Sequence, residues 1–319
     1  MTKSILKIAL VSLVVTATVA GCGLFKGLLD AQIEQFNNDS NTYKAELDQA
    51  DNDINDALAD IDGFGKTSYH DEVFSSPLCG VTIDCTEINQ GILYFNFDGV
   101  TPCFSPSRTR AGQIKVELIE GNSWADAGAK LKQTFIDFKV TRLSNGRSIE
   151  FDGVKTLKNL QGHDWLQFIQ GNTDFSYESR ALAMDVAFDN SQSAVWNHAR
   201  TVTWSYVPAG TDPNVPYAYV GFAAQGDTTI NGTSGMDSWG VNRFGSNFVT
   251  YYNQPITSNT YCGLWRFNSG QLVHEVDGDD YTLTLGVDQQ GNTTSNTCAY
   301  GFEVSWNVGN NSNSQVFSY

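Results

Sequence analysis

Two hydrophobic periods divide this chain. From residue 28 to 62, one row of positions at alternating steps of four and three holds Leu29, Phe36, Tyr43, Ala50 and Ala57 together with Ile33, Ser40, Leu47, Ile54 and Ile61. That spacing is a heptad seam and predicts an α-helix. The positions between are acidic: Asp30, Glu34, Asp39, Glu46, Asp48, Asp51, Asp53, Asp56, Asp60 and Asp62 stand against Lys44 alone. So much like charge on one helix repels itself. Two arrangements fit the pattern: a spacer or coiled-coil segment that lifts the body away from a membrane, or one acidic amphipathic helix packed on the body. Two alanines and a serine in the seam weaken the coiled coil, which needs bulky side chains there.

After Gly63-Phe64-Gly65 the period becomes two. LAMDVAF (182–188) sets Leu182, Met184, Val186 and Phe188 on one side, and TVTWSYV (201–207) alternates Val202, Trp204 and Tyr206 with threonine or serine. YTLTLGV (281–287) and FEVSWNV (302–308) do the same, while IKVEL (114–118) and FIDFKV (135–140) approach it. Strict alternation buries one face and wets the other, which is the mark of antiparallel sheets. Turn dipeptides separate the runs at Asn145-Gly146, Asp152-Gly153, Asn231-Gly232 and Asp277-Gly278. The expected body is therefore all-β, antiparallel, of a dozen or more strands; alternation alone does not choose among sandwich, open barrel and extended meander. A polar stretch at 170–180 suggests two β regions, 67–172 and 173–319, after a helical segment at 22–66.

The N-terminus carries an address. Lys3 and Lys7 precede an apolar run from Ile8 to Ala20, which ends in small residues and Cys22. A charged start, an apolar middle shorter than the roughly 20 residues of a membrane span, and a small-residue end make a secretory signal peptide over residues 1–21. VAGC (19–22) resembles the lipobox of bacterial lipoproteins, which implies lipid on the Cys22 thiol and Cys22 as the first mature residue. Gly23 follows where aspartate would signal inner-membrane retention, so the resemblance implies the outer membrane, with the periplasmic or surface face left open.

Composition then narrows the partners. The formal charge is −16, and loss of residues 1–21 removes two lysines and no acids, taking the mature chain to −18. Nucleic acid is excluded as a partner, because phosphate binding needs clustered Lys and Arg. An exported chain can hold disulfides, and five cysteines remain beside Cys22: Cys79, Cys85, Cys103, Cys262 and Cys298. If residues 81–84 form a strand, Cys79 and Cys85 stand about 20 Å apart, whereas a disulfide needs Cα atoms within about 7 Å. The expected bridges are Cys103 with either Cys79 or Cys85, and Cys262 with Cys298.

A family resemblance enters with residues 103–160. There a cysteine precedes an Arg-x-Arg-x-Gly element (Arg108, Arg110, Gly112), a strand, a Gly-rich turn, a long strand and a hairpin return. A second, similar stretch runs from INGTSGMDSWG through Cys262 to the strand before Cys298. Together they resemble surface lipoproteins of Bacteroidetes-type bacteria. The resemblance implies an all-β lipid-anchored envelope protein and no particular activity; NTTSNTCAYG departs from that family's acidic ending.

Little in the chain spells chemistry. His70, His163, His198 and His274 stand apart without metal-ligand spacing, and GTSG (232–235) lacks the spacing of a nucleophile elbow. No cofactor is expected. Glu150 and Asp152 share a strand face and are the carboxylates an envelope hydrolase acting on glycans would use. Asp277, Asp279 and Asp280 are a weak calcium candidate in a hairpin loop. Among the tryptophans, Trp204 and Trp306 fit inward faces, whereas Trp124 and Trp239 fall in Gly-rich segments and are the candidates for ligand contact. The expected function is a non-catalytic envelope lipoprotein that binds a glycan or an envelope protein or serves a structural role, with the hydrolase as the alternative.

Overall fold

The computed structural model describes residues 31–61, 64, 73–74, 78–103, 107–163, 168, 170, 173–189, 192–213, 215–294, 298–308 and 311–319. Residues 1–21, read from the sequence as a signal peptide, lie outside them, as do Cys22, His70 and Trp165. The described chain starts with α1 (Ala31–Asp60) and continues as β1 (Val73–Phe74), β2 (Val81–Asp84), β3 (Ile92–Asp98), β4 (Arg108–Glu120), β5 (Lys130–Arg142), β6 (Ser148–Asn159), β7 (Phe175–Phe188) and β8 (Gln192–Val207). The second half adds β9 (Tyr219–Gly226), β10 (Thr228–Ile230), β11 (Thr233–Val241), β12 (Asn247–Asn259), β13 (Phe267–Val276), β14 (Asp279–Val287), β15 (Gly301–Val308) and β16 (Asn311–Ser318).

The strands form one antiparallel meander with barrel-like closure. Only one place breaks the simple order. β9 and β11 share the slot between β8 and β12, β11 pairing Val195–His198 of β8 and β9 pairing Arg200–Val207, while β10 folds back on β11 as a small hairpin around Asn231-Gly232. The two β regions expected from the polar stretch at 170–180 are halves of this one sheet. β6 and β7 pair from Ile149↔Phe188 to Asn159↔Tyr177, straight across the expected division.

The sheet curls because its strands are creased at one level. β5 carries an extra residue at Ile136–Asp137 and β7 another at Leu182–Ala183, with Asp137 and Ala183 at φ 49° and 52°. A bulge bends its strand and sharpens its twist. The strands beside them supply glycines: a Cβ on Gly112 of β4 would lie 2.1 Å from the Asp137 carbonyl oxygen, and one on Gly153 of β6 would lie 3.0 Å from the Met184 sulfur. Bulges and close backbone approaches on four consecutive strands fold a flat sheet inward. The bulge also reverses a side chain. Before it, Tyr177 and Ala181 point inward; after it, Met184, Val186 and Phe188 do, and Leu182 is turned out to 67 % exposure instead of joining them.

What the curl encloses is α1. All the described seam residues, Phe36, Ser40, Tyr43, Leu47, Ala50, Ile54, Ala57 and Ile61, are buried, and so are Asp39, Glu46, Gln49, Asp51, Asp53 and Asn55 on its other faces. The helix is therefore neither a spacer nor a partner-seeking coil: its acids face the concave side of the sheet, which is built to receive them. Arg108 meets Glu46 at 3.2 Å, Arg110 pairs with Asp53, Lys155 with Asp51, Arg200 with Asp48, Arg243 with Asp39 at 2.6 Å, and Lys44 of the helix meets Asp237 of β11 at 2.6 Å. Like charges that would repel on an exposed helix become a lattice of pairs inside. Neutral bonds complete it. Trp124 donates its indole N–H to Asn55 Oδ1 at 2.9 Å, Gln133 donates to Asp51 at 3.1 Å, and the Tyr43 hydroxyl lies 3.2 Å from His198 Nδ1, whose Nε2 lies 2.9 Å from Ser179 Oγ.

Two disulfides brace the rim, Cys79–Cys103 with Cα atoms 5.8 Å apart and Cys262–Cys298 at 5.3 Å. The alternative left open at Cys103 is thereby settled in favour of Cys79, and buried Cys85 takes part in neither bridge. No described helix is long and apolar enough to cross a membrane.

Candidate functional site

α1 crosses the inside of the sheet, from Asp39 among the β5–β6, β7–β8 and β11–β12 connections to Asn55 against Trp124 in the β4–β5 connection. At the Asp39 end the wrapping is incomplete. A cleft of about 240 Å³ opens between the helix, the β5–β6 hairpin, the end of β7 and the β11–β12 hairpin. Helical spacing of four aligns Asn38, Thr42 and Glu46 along its wall, beside Asp39. The other side is formed by Val140, Arg142, Arg147, Ser148, Ile149, Phe188, Asp189 and Arg243.

Half of these charges are spent on one another. Arg243 grips Asp39 with two parallel bonds of 2.6 Å, donates to Asp189 at 2.9 Å and Gln192 at 3.0 Å, and lies 4.2 Å over the Phe188 ring. Four of its five N–H donors are thereby engaged, and its face is stacked, so this guanidinium is committed to the protein. Burial pushes the Asp39 carboxyl up despite this grip. Asp189, where burial pulls the same way, is held below its usual range by the Arg243 bond, the Ser148 N–H and the neighbouring Arg147.

The remaining groups are not spent. Glu46 is 2 % exposed, yet only one of its oxygens meets Arg108; Oε2 has no hydrogen-bond partner. Burial raises its pKa, with Arg108, Arg110 and Arg142 pulling it back. Arg142 donates to the Thr42 hydroxyl at 3.1 Å and has no carboxylate at ion-pair distance among the described residues. Arg147 stands 3.6 Å from Asp189 and 3.8 Å from Asp39, too long for hydrogen bonds. The cleft thus presents a buried acceptor and two guanidinium groups with donors to spare.

The residues singled out in the sequence fall elsewhere. Glu150 and Asp152 lie on the outer face of β6, Glu150 3.7 Å from Lys139 and Asp152 opposite Asp185 in register, on open convex surface. Asp279 and Asp280 enter β14 after Asp277, and no group of three His, Cys, Asp or Glu able to hold a metal forms among the described residues, so the calcium candidate is withdrawn. Trp124 is 3 % exposed and bonded into the core, which removes it from the ligand-contact candidates; Trp239 is half-buried in β11, and among the described tryptophans the one that projects is Trp265, at 57 %. Arg108 and Arg110, noticed only as part of a family-like element, are inward ion-pair partners of the helix. Arg142, Arg147, Arg243 and Glu46 carry no signal as a set. An arginine on the inward phase of an alternating strand, as at Arg110 with Ile114 and Val116, is the available hint that the interior needs acids.

Comparison with known families, curated proteins and solved structures returns no match for this chain.

Proposed function

We propose that this is a non-catalytic, lipid-anchored binding protein of the outer membrane. The observation that carries the binding role is the cleft, where Glu46 Oε2 has no hydrogen-bond partner and Arg142, bonded to the Thr42 hydroxyl, has no carboxylate at ion-pair distance among the described residues. A buried polar group left unmade costs free energy that an incoming ligand recovers. The hydrolase alternative draws less support, since Glu150 and Asp152 sit on a convex surface where no bond could be held between them. A glycan or an envelope protein remains the partner class for the outer surface.

The anchor rests on the VAGC motif, and the fold changes its meaning. Eight residues separate Cys22 from Ala31, where α1 begins, and the nine steps between them reach at most about 30 Å. With α1 enclosed by the sheet, the body would ride close to the bilayer with its cleft end nearest the lipid. Cys22→Ser is expected to abolish incorporation of labelled fatty acid and to release the protein from the outer-membrane fraction. Unchanged labelling and fractionation of that variant would overturn the anchor.

A further inference from the structure

We propose that the cleft beside Asn38, Thr42 and Glu46 binds a small zwitterion, its phosphate or carboxylate held by Arg142 and Arg147 and its ammonium by the unpartnered oxygen of Glu46. This deepens the binding reading and rests on it.

The charge inventory selects the ligand. Three arginines and three acids line the cleft, but Arg243, Asp39 and Asp189 are closed on one another by bonds of 2.6 to 2.9 Å. That leaves both signs available at once. A simple anion would satisfy the guanidinium groups and leave Glu46 Oε2 buried without a partner; a simple cation would do the reverse. A molecule bearing both charges satisfies all three groups, and a guanidinium fork suits the planar or tetrahedral oxygens of carboxylate and phosphate. Volume agrees. About 240 Å³ accommodates a ligand the size of an amino acid or a phosphoethanolamine group. Val140, Ile149 and Phe188 supply an apolar wall for the short methylene link between the two charges.

The Glu46 contact makes a chemical distinction. An ammonium with N–H groups can donate to Oε2, whereas a trimethylated ammonium cannot. Ligands of the ethanolamine type should therefore bind better than their choline counterparts.

The test is titration calorimetry on the mature full-length protein in mild detergent, with O-phosphoethanolamine, phosphocholine and inorganic phosphate as probes. O-phosphoethanolamine is expected to bind, with phosphocholine and phosphate each weaker by about tenfold or more, the loss of one charge-assisted bond. Glu46→Gln should erase the preference for ethanolamine over choline. Arg142→Gln should weaken both zwitterions by about tenfold or more, and Arg142→Lys should restore part of that loss. Arg142 is only half-buried, and an amide has nearly the same shape as the Glu46 carboxylate it replaces, so these variants stay folded, as melting curves will verify. Vesicles of phosphatidylethanolamine added as competitor separate the sources: displacement of the soluble probe assigns a lipid headgroup, and lack of displacement a soluble zwitterion, either of which supports the proposal. Equal binding of phosphocholine, an unchanged preference in Glu46→Gln, or no binding of O-phosphoethanolamine at millimolar concentration would overturn it. A protein that captured a glycan or envelope protein but no zwitterion would sink this proposal and leave the binding reading standing.

Discussion

Replacing Lys155 with methionine is expected to cost about 3–5 kcal/mol of folding stability, the usual result of breaking a buried ion pair from one side. Lys155 is fully buried on β6 and pairs with Asp51 of α1, whose side chain is 1 % exposed, and its ammonium also reaches the Leu47 carbonyl at 3.4 Å. Burial drives the Lys155 pKa down, with Asp51 and, more weakly, Asp48 opposing it, so the charge is held in the interior chiefly by its partner. Methionine fills nearly the same volume, so cavity formation contributes little. What remains is a carboxylate enclosed by protein with only the Gln133 amide, 3.1 Å away, to satisfy it. The double change Lys155→Met with Asp51→Leu should recover most of the loss, because a well-packed apolar pair replaces a buried ion pair at little cost. Urea unfolding of the two variants measures both effects. A loss under about 1 kcal/mol for Lys155→Met would mean that Asp51 is hydrated and that α1 is not enclosed.

The second large effect is a loss of stability between pH 6.5 and 5. His198 is enclosed between the Tyr43 hydroxyl and Ser179, and burial, aided by Arg200, Lys155 and Lys44, pushes its pKa well down. His274 stacks on Phe36 with centroids 4.5 Å apart, bonds Thr250 at 2.7 Å, and is pushed by burial, with Lys44 adding to it, to about 3. Both are neutral in the folded protein, while the unfolded chain takes up protons below about 6.5. Since the unfolded state binds more protons there, stability falls as pH falls, by up to about 1.4 kcal/mol per unit for each histidine. Over this window the pair costs about 3 kcal/mol. Burial raises Asp48 to about 6 against the pull of Arg200, so the folded state gains a proton there first and returns about 1 kcal/mol between pH 6 and 5; Glu46 and Asp39, also raised by burial, act in the same direction. Asp189 and Glu117, whose pKa values are lowered, lose their contributions only below this window. Thermal melts at pH 7, 6 and 5 should show a falling midpoint, with His198→Gln removing close to half of the histidine contribution. A midpoint that rises steadily on acidification, in wild type and variant alike, would contradict the burial of both rings.

Much of this architecture is written in the sequence, and the part that is not has a physical reason. The heptad seam holds wherever its side chains are described: from Phe36 to Ile61 each is buried. Its acidic flanks mislead, because like charges on an isolated helix imply solvent, and nothing local reveals that Arg108, Arg110, Lys155 and Arg200 arrive from distant strands to neutralise them. Period-two alternation identifies the strands but not their interruptions. In LAMDVAF a bulge at Leu182–Ala183 changes phase, and Ala183 is not a residue whose identity announces a left-handed conformation. Similarly, FIDFKV reads as imperfect alternation because Ile136 and Asp137 are both turned outward at the bulge in β5. Strand spacing limits the disulfide choices, and one pair follows directly. The cleft is invisible for a simpler reason: Asp39 and Arg243 are 204 positions apart, and the curl of the whole sheet is what joins them.

The central claim is that α1 is the interior of this protein, not a tether outside it. Hydrogen exchange read by mass spectrometry on the intact chain tests that most directly. The amides of residues 36–58 are expected to exchange as slowly as those of β5 to β8, opening only with global unfolding. Exchange of that segment within seconds to minutes while the strands stay protected would place the helix outside the sheet and contradict the account.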